Sequence, residues 1–361
     1  MLIVDRDDKS PEAPGFVRKL RDDGFQVELR KVNEARSFLQ ILETFRVTKD
    51  FSKFDLVVVT DYLLAFGLCL RKIVSRNRTQ MAALSFNVSR RYLRTSIGPI
   101  DWAINYLFRQ LLLIVVHSRA ERELFSHVHN LDKQRIALAH WGFDLPQDFH
   151  NQPGVADKLD LSKQYVCMIG RNNRDFQTLT DAIRGTKIQA VFVASRSIDP
   201  SLDSSEQIQV FYDLPFGECL KIIEHSVANV ILLKDATRGA GHITAVSAMM
   251  LGKAHVYTDA SVLDDYLLDG RHGISVPIGD ASSARQALLQ LYNDEALRFR
   301  FGVEAKQYAK AFLSHSAFQQ RLHNLLFSVI NNHRIEIFDP NWIAYLEKIS
   351  PAHLVGARST A

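Results

Sequence analysis

Residues 239–259 read GAGHITAVSAMMLGKAHVYTD. Two glycines, Gly239 and Gly241, open the stretch, and an apolar helical run follows over Ile243–Leu251. Gly252 stops that run, as glycine commonly does just past a helix. Ala254–Thr258 is then a short strand, and Asn229–Leu233, another strand, lies upstream. Strand, glycine loop, helix and strand make a βαβ unit, whose two strands run parallel.

The same rhythm extends outward. Tyr165–Ile169, Ile188–Ala194 and Gln207–Tyr212 read as strands, with helices at Phe176–Arg184 and Gly217–His225 and, beyond the opening stretch, at Ala281–Tyr292 and Glu295–Phe312. Toward the N-terminus, Pro146, Pro153 and Gly154 interrupt a polar segment over 145–163, which reads as a linker. Before it the alternation recurs: strands at Leu2–Val4, Phe25–Val32, Asp55–Thr60, Met81–Phe86 and Leu112–Val116, with helices at Phe16–Asp22 and Asn33–Phe45. Continuous apolar runs such as DLVVVT suit strands covered on both faces. The expectation is an α/β chain of two Rossmann-like, doubly wound domains over 1–150 and 151–330. A polar tail over 331–361 lies outside the second core.

A length of 361 residues fits two domains. A hydrophobic share of 47%, a charged share of 23% and a net charge of +4 are ordinary for a globular chain and do not by themselves call for nucleic acid. Cys69, Cys167 and Cys219 sit in apolar runs without a CxxC pair, and no Cys/His spacing suits a metal. There is no basic, apolar leader at the N-terminus and no apolar run of about 20 residues. A cytoplasmic protein is expected, at most peripheral on the inner face of a membrane.

Three stretches carry the chemistry. Gly170-Arg171-Asn172-Asn173-Arg174-Asp175 ends a strand, where open α/β sheets bind ligands. Two arginines there can clamp a diphosphate through charge-assisted bonds; the plain alternative is a solvated turn with two surface arginines. Gly239–Thr244 opens a helix, whose N–H groups and dipole attract phosphate; the plain alternative is a glycine turn. The third stretch, Tyr62–Ile100, holds Arg71, Lys72, Arg76, Arg78, Arg90, Arg91 and Arg94 and no acid. With Tyr92, Leu93, Ile97, Ile100 and Trp102 nearby, it suits an anionic membrane surface, a diphosphate-lipid acceptor or a nucleic-acid backbone, or else a solvated helix face beside core aromatics. His117 and His140 follow strand-like runs and read equally as structural or site residues.

Taken in order, residues 114–125 (IVVHSRAERELF), 141–146 (WGFDLP), 169–183 (IGRNNRDFQTLTDAI), 239–259 and 264–280 (DDYLLDGRHGISVPIGD) resemble glycosyltransferase family 4 over a little more than half of the chain. The resemblance implies a GT-B fold, with two Rossmann-like domains facing a cleft. The donor would lie in the C-terminal domain and the acceptor in the N-terminal one, and the C-terminal tail would pack back toward the N-terminal domain. It also implies retention of anomeric configuration without a metal or other cofactor. Gly170, Arg171 and Arg174 would hold the diphosphate, and Gly241, His242, Ile243 and Thr244 would face the diphosphate and the sugar. The family's two glutamates, eight positions apart, fall on Gly239 and Ser247, so Ser247 would stand at the ribose, where a hydroxyl replaces a bidentate carboxylate. Asp235 and His242 are the nearest polar residues to compensate.

The resulting expectation is a glycosyltransferase that moves a sugar from a nucleotide-diphosphate-sugar to a lipid-linked or saccharide acceptor. His242, Arg171 and Arg174 are its catalytic candidates. A glycosyltransferase-like subunit that binds or regulates without catalysis is the alternative favoured by the missing glutamates. A transferase acting on a nucleic-acid base is the third reading, resting on the basic stretch alone.

Overall fold

The β-branched runs form two separate parallel sheets. They are seen in a computed structural model that describes residues 1–6, 14–32, 38–85, 99–151, 154, 163–197, 202, 204–235 and 240–349. Two compact units divide the chain: Met1–His140 with Ser316–Ala361, and Trp141–His315.

In the first unit the order is β1 (Leu2–Arg6), α1 (Gly15–Asp22), β2 (Glu28–Val32), α2 (Phe38–Val47), β3 (Leu56–Val59), α3 (Tyr62–Ser75), β4 (Gln80–Ala83), α4 (Pro99–Phe108), β5 (Leu113–Val116), α5 (Arg119–His129) and β6 (Ile136–Leu138). The strands pair in the order β2-β1-β3-β4-β5-β6, all parallel. Side chains alternate across a strand, so one strand feeds two cores. Leu2, Val4, Val57 and Val59 fill the core on one face, and Ile3, Leu56 and Val58 fill the other.

The second unit holds β7 (Tyr165–Ile169), α6 (Phe176–Ile183), β8 (Gln189–Ala194), β9 (Ile208–Tyr212), α7 (Phe216–His225), β10 (Ala228–Ile231), α8 (His242–Met250), β11 (His255–Thr258), β12 (Gly273–Val276), α9 (Ala281–Asn293) and α10 (Glu295–Phe312). Its order is β12-β11-β10-β7-β8-β9, again parallel. Val166 and Met168 point into one core, Tyr165, Cys167 and Ile169 into the other. All three cysteines are free and buried.

Two boundaries differ from the sequence reading. The first change of unit falls at His140–Trp141, ahead of the 145–163 segment. The backbone N–H of Trp141 donates to the Tyr266 hydroxyl, that of Phe143 to the Leu313 carbonyl, and that of His315 to the Asp144 carboxylate. The second change comes at His315–Ser316, because α11 (His315–Ile330) places Leu322, Leu325, Leu326 and Val329 in the Ile3 core. The polar tail also contains a helix, α12 (Pro340–Ile349). Its Trp342 is wholly buried in the first unit, 4.5 Å from the His140 ring and beneath the Arg119 guanidinium. Helix α3 escaped the sequence reading because YLLAFGLCL is almost uniformly apolar and shows no helical stripe. It is packed on by α2 so closely that a Cβ on Gly67 would stand 3.0 Å from Thr44.

A candidate phosphate site at the switch point of the second sheet

Strand β7 pairs with β8 on one side and β10 on the other. The connections therefore leave its neighbourhood in opposite directions, opening a crevice at the carboxyl ends of β7 and β10. The loop after β7, Gly170–Asp175, crosses the end of β10. The Asp175 N–H donates to the Leu232 carbonyl at 2.9 Å, and Arg174 bridges to Leu233. Asp175 also caps α6, accepting from the Thr178 N–H. Asn173 takes the left-handed conformation at φ 58° and donates from its amide to the Asp235 carbonyl at 2.7 Å.

Arg174 turns inward and is only 4% exposed. Its Nε donates to the Ile169 carbonyl at 3.0 Å, Nη1 to the Asn172 carbonyl at 3.1 Å and Nη2 to the Thr244 hydroxyl at 3.4 Å. The Thr244 hydroxyl in turn donates to Ile169 at 3.2 Å. No carboxylate pairs with Arg174 among the described residues, and burial lowers its pKa to about 10, so it remains a cation at neutral pH. Those bonds use three of the five N–H groups a guanidinium carries. Two glycines make room for it: a Cβ on Gly170 would fall 2.5 Å from Cζ and 2.6 Å from Nη2, and a Cβ on Gly241 would fall 3.8 Å from Nη2.

Gly241, at φ +96°, is the N-cap of α8 and offers no side-chain cap. The positive end of the α8 dipole thus adjoins a buried cation. That concentration of positive charge is suited to a di-anion. His242, the first residue of α8, hydrogen-bonds through Nε2 to the Val262 carbonyl at 2.8 Å and stacks on Tyr266 with ring centroids 4.3 Å apart. The carbonyl can only accept, so Nε2 carries a proton. Ile243 is exposed.

The structure thus gathers Gly170, Arg174, Gly241, His242 and Thr244 in one place. Arg171 stands exposed on the same loop, and no hydrogen bond or ion pair holds its side chain among the described residues. Ser247 departs from the ribose-facing expectation. It is 1% exposed and its hydroxyl donates to the Ile243 carbonyl one turn back at 2.7 Å, because α8 is buried along this face. Gly239 lies outside the described residues. Tyr266, which sets the His242 ring, is visible in the sequence only as part of the 264–280 stretch.

The first sheet has its own switch point, where β1 pairs with β2 and β3. There the Thr60 hydroxyl donates to the Asp5 carboxylate, and Asp61 caps α3 through the Leu63 N–H. His117 bonds the Ala139 carbonyl at 2.9 Å. The basic stretch over 62–100 is described at Arg71, Lys72, Arg76 and Arg78. Arg71 donates to the Phe45 and Lys49 carbonyls and covers the Phe45 and Phe51 rings. Lys72 reaches the Gln110 carbonyl. Arg90, Arg91 and Arg94 lie outside the described residues. Among the described residues, no three His, Cys, Asp or Glu side chains group as metal ligands, and no helix is long and apolar enough to cross a membrane.

No family profile and no curated protein matches the sequence. Solved structures do resemble it. HepE of Anabaena, in complex with UDP and glucose, shares 13% identity over 91% of this chain and 100% of its own, with a TM-score of 0.65. Sucrose-phosphate synthase of Thermosynechococcus elongatus shares 13% over 92% and 100%, at 0.69. The lipopolysaccharide outer core galactosyltransferase WaaB, in its apo form, shares 12% over 91% and 99%, at 0.62. At these identities the likeness establishes the fold: this chain has the two-unit α/β architecture of GT-B glycosyltransferases.

Proposed function

We propose that this protein is a glycosyltransferase that takes a sugar from a nucleotide-diphosphate-sugar and passes it to a lipid-linked or saccharide acceptor. The observation that carries the reading is Arg174, a buried cation with no carboxylate partner among the described residues, set beside the start of α8, whose N-cap is a glycine. Burying an uncompensated charge is costly. A bound diphosphate would supply the missing anion. Breaking the bond between the anomeric carbon and the diphosphate leaves negative charge on the departing oxygens, and fixed positive groups lower that barrier. Arg174 and the α8 N-terminus act at that point, with exposed Arg171 closing on the phosphates from the loop. His242, its ring held by Val262 and Tyr266, would face the sugar, as the family resemblance implies.

The departing diphosphate can itself take the acceptor's proton, so a glycine at 239 and an inward Ser247 do not preclude transfer. Retention of configuration and independence from metal follow from the resemblance to glycosyltransferase family 4. The fold shared with HepE, whose structure holds UDP and glucose, supports a nucleotide-sugar donor.

The second reading, a binding subunit without catalysis, draws on Ser247: its hydroxyl is committed to its own helix. Thermal-shift screening against nucleoside diphosphates and their sugars, followed by product analysis, separates the two. A ligand at 100 times its Kd adds about 2.7 kcal/mol of stability. Stabilisation together with release or transfer of sugar is expected. Stabilisation without turnover on lipid-diphosphate and saccharide acceptors would establish the subunit reading, and no stabilisation by any nucleotide would overturn the transferase reading and the donor-site assignments.

A further inference from the structure

The first unit carries a surface that the proposed transfer reaction does not use. On α4, Trp102 is 70% and Tyr106 45% exposed, and the two rings stack at 5.7 Å with their planes 11° apart. Arg109 follows at the next turn, its N–H still bonded to the Asn105 carbonyl. Positions 102, 106 and 109 therefore share one helix face. The opposite face is committed: Leu107 and Phe108 are buried.

Arg109 also borders a hollow of about 270 Å³ at the amino ends of β4 and β5, where Lys72, Arg78 and Arg135 join it and, among the described residues, no carboxylate lines the wall. Arg135 is held there by donating to the Arg109 carbonyl. Burial depresses the Lys72 pKa. An adjoining hollow is lined by Arg109 and Arg135 with Asp132, whose carboxylate already accepts from the Gln134 N–H.

We propose that this face docks on an anionic lipid bilayer, Trp102 and Tyr106 entering the headgroup layer while Arg78, Arg109 and Arg135 receive lipid phosphates. Amphipathic aromatic rings favour that depth of a membrane, and clustered cations add a salt-screened attraction to anionic lipid. Exposed stacked aromatics carry no explanation as core, and a hollow walled by four bases selects an anionic surface over an apolar protein partner. The proposal uses residues of the first unit only and holds whether or not the donor reading does.

The test is co-sedimentation of the full chain with phosphatidylcholine vesicles, with and without phosphatidylglycerol, together with tryptophan fluorescence. Trp102 is the exposed member of three tryptophans; Trp342 is buried and Trp141 partly so. The protein should sediment with anionic vesicles at low salt, should be released by salt, and should show a blue-shifted emission on binding. The Trp102→Ala/Tyr106→Ala pair should remove the blue shift and weaken binding at least tenfold, and Arg109→Glu/Arg135→Glu should do the latter. Equal binding to neutral vesicles, no binding at low salt, or variants that bind like the parent would overturn it. So would binding to a DNA duplex or single-stranded RNA that both variant pairs weaken while vesicles leave the protein in solution.

Discussion

The guanidinium of Arg174 occupies the space that a side chain at Gly170 would need, with Cζ 2.5 Å from the position of a Cβ there. The arginine cannot yield easily, since Ile169, Asn172 and Thr244 hold it. Gly170→Ala is therefore expected to displace Arg174 and cost about 1–3 kcal/mol, the range for overpacking a tight site. A urea denaturation midpoint lowered by that amount, with loss of nucleoside-diphosphate binding, is the expected outcome. A variant as stable as the parent would show that the loop relaxes freely.

Ser247→Ala removes a hydroxyl that bonds only within α8. Donor affinity is expected to stay within about twofold and stability within about 1 kcal/mol, the usual range for one such bond. Calorimetric titration checks this. A tenfold loss of affinity would place the hydroxyl at the ligand after all.

Much of this was legible in the primary structure, and what was not has a physical cause. Strands such as Tyr165–Ile169 and the helix Glu295–Phe312 announce themselves by period and by their glycine or polar boundaries, and both have the expected bounds. Strands β6 and β12, of three and four residues, are too short to show a period. The resemblance implies that the tail packs toward the N-terminal domain, but the tail's polar composition does not mark Trp342 as core, because its burial depends on Arg119 and His140, more than 200 positions away. At the site, Gly170, Arg174 and Gly241 could be named from local pattern. Whether each side chain points in or out could not, since that follows from loop 170–175 crossing β10, a long-range contact.

Trp342 is fully buried in the first unit. Trp342→Ala should cost about 3–5 kcal/mol, as large-to-small core changes do. Chemical denaturation would detect the loss. An unchanged midpoint would mean that α12 contributes no stability to the unit.

His255 and His272 are buried in the second unit, and burial lowers their pKa values to about 4 and about 3. The unfolded chain binds protons at these positions first, near pH 6.5. Stability is therefore full above about pH 6.5 and declines as pH falls toward 4, by about 1.4 kcal/mol per pH unit for each histidine. Denaturation midpoints measured between pH 7.5 and 5 should show this slope, and His255→Asn should reduce it by about half. A flat profile would mean that both rings accept protons in the folded state.

The most direct test of the central claim, that a buried arginine at the β7–β10 switch point awaits a diphosphate, is calorimetric titration of nucleoside diphosphates into the parent, Arg174→Lys, Arg174→Met and Arg171→Ala. At least one nucleoside diphosphate should bind the parent. Arg174→Met should abolish binding, Arg174→Lys should retain part of it, and Arg171→Ala should weaken it at least tenfold, ~1.4 kcal/mol, without changing the melting temperature. Failure of every nucleoside diphosphate to bind the parent, or equal affinity for the parent and a folded Arg174→Met, would contradict the account.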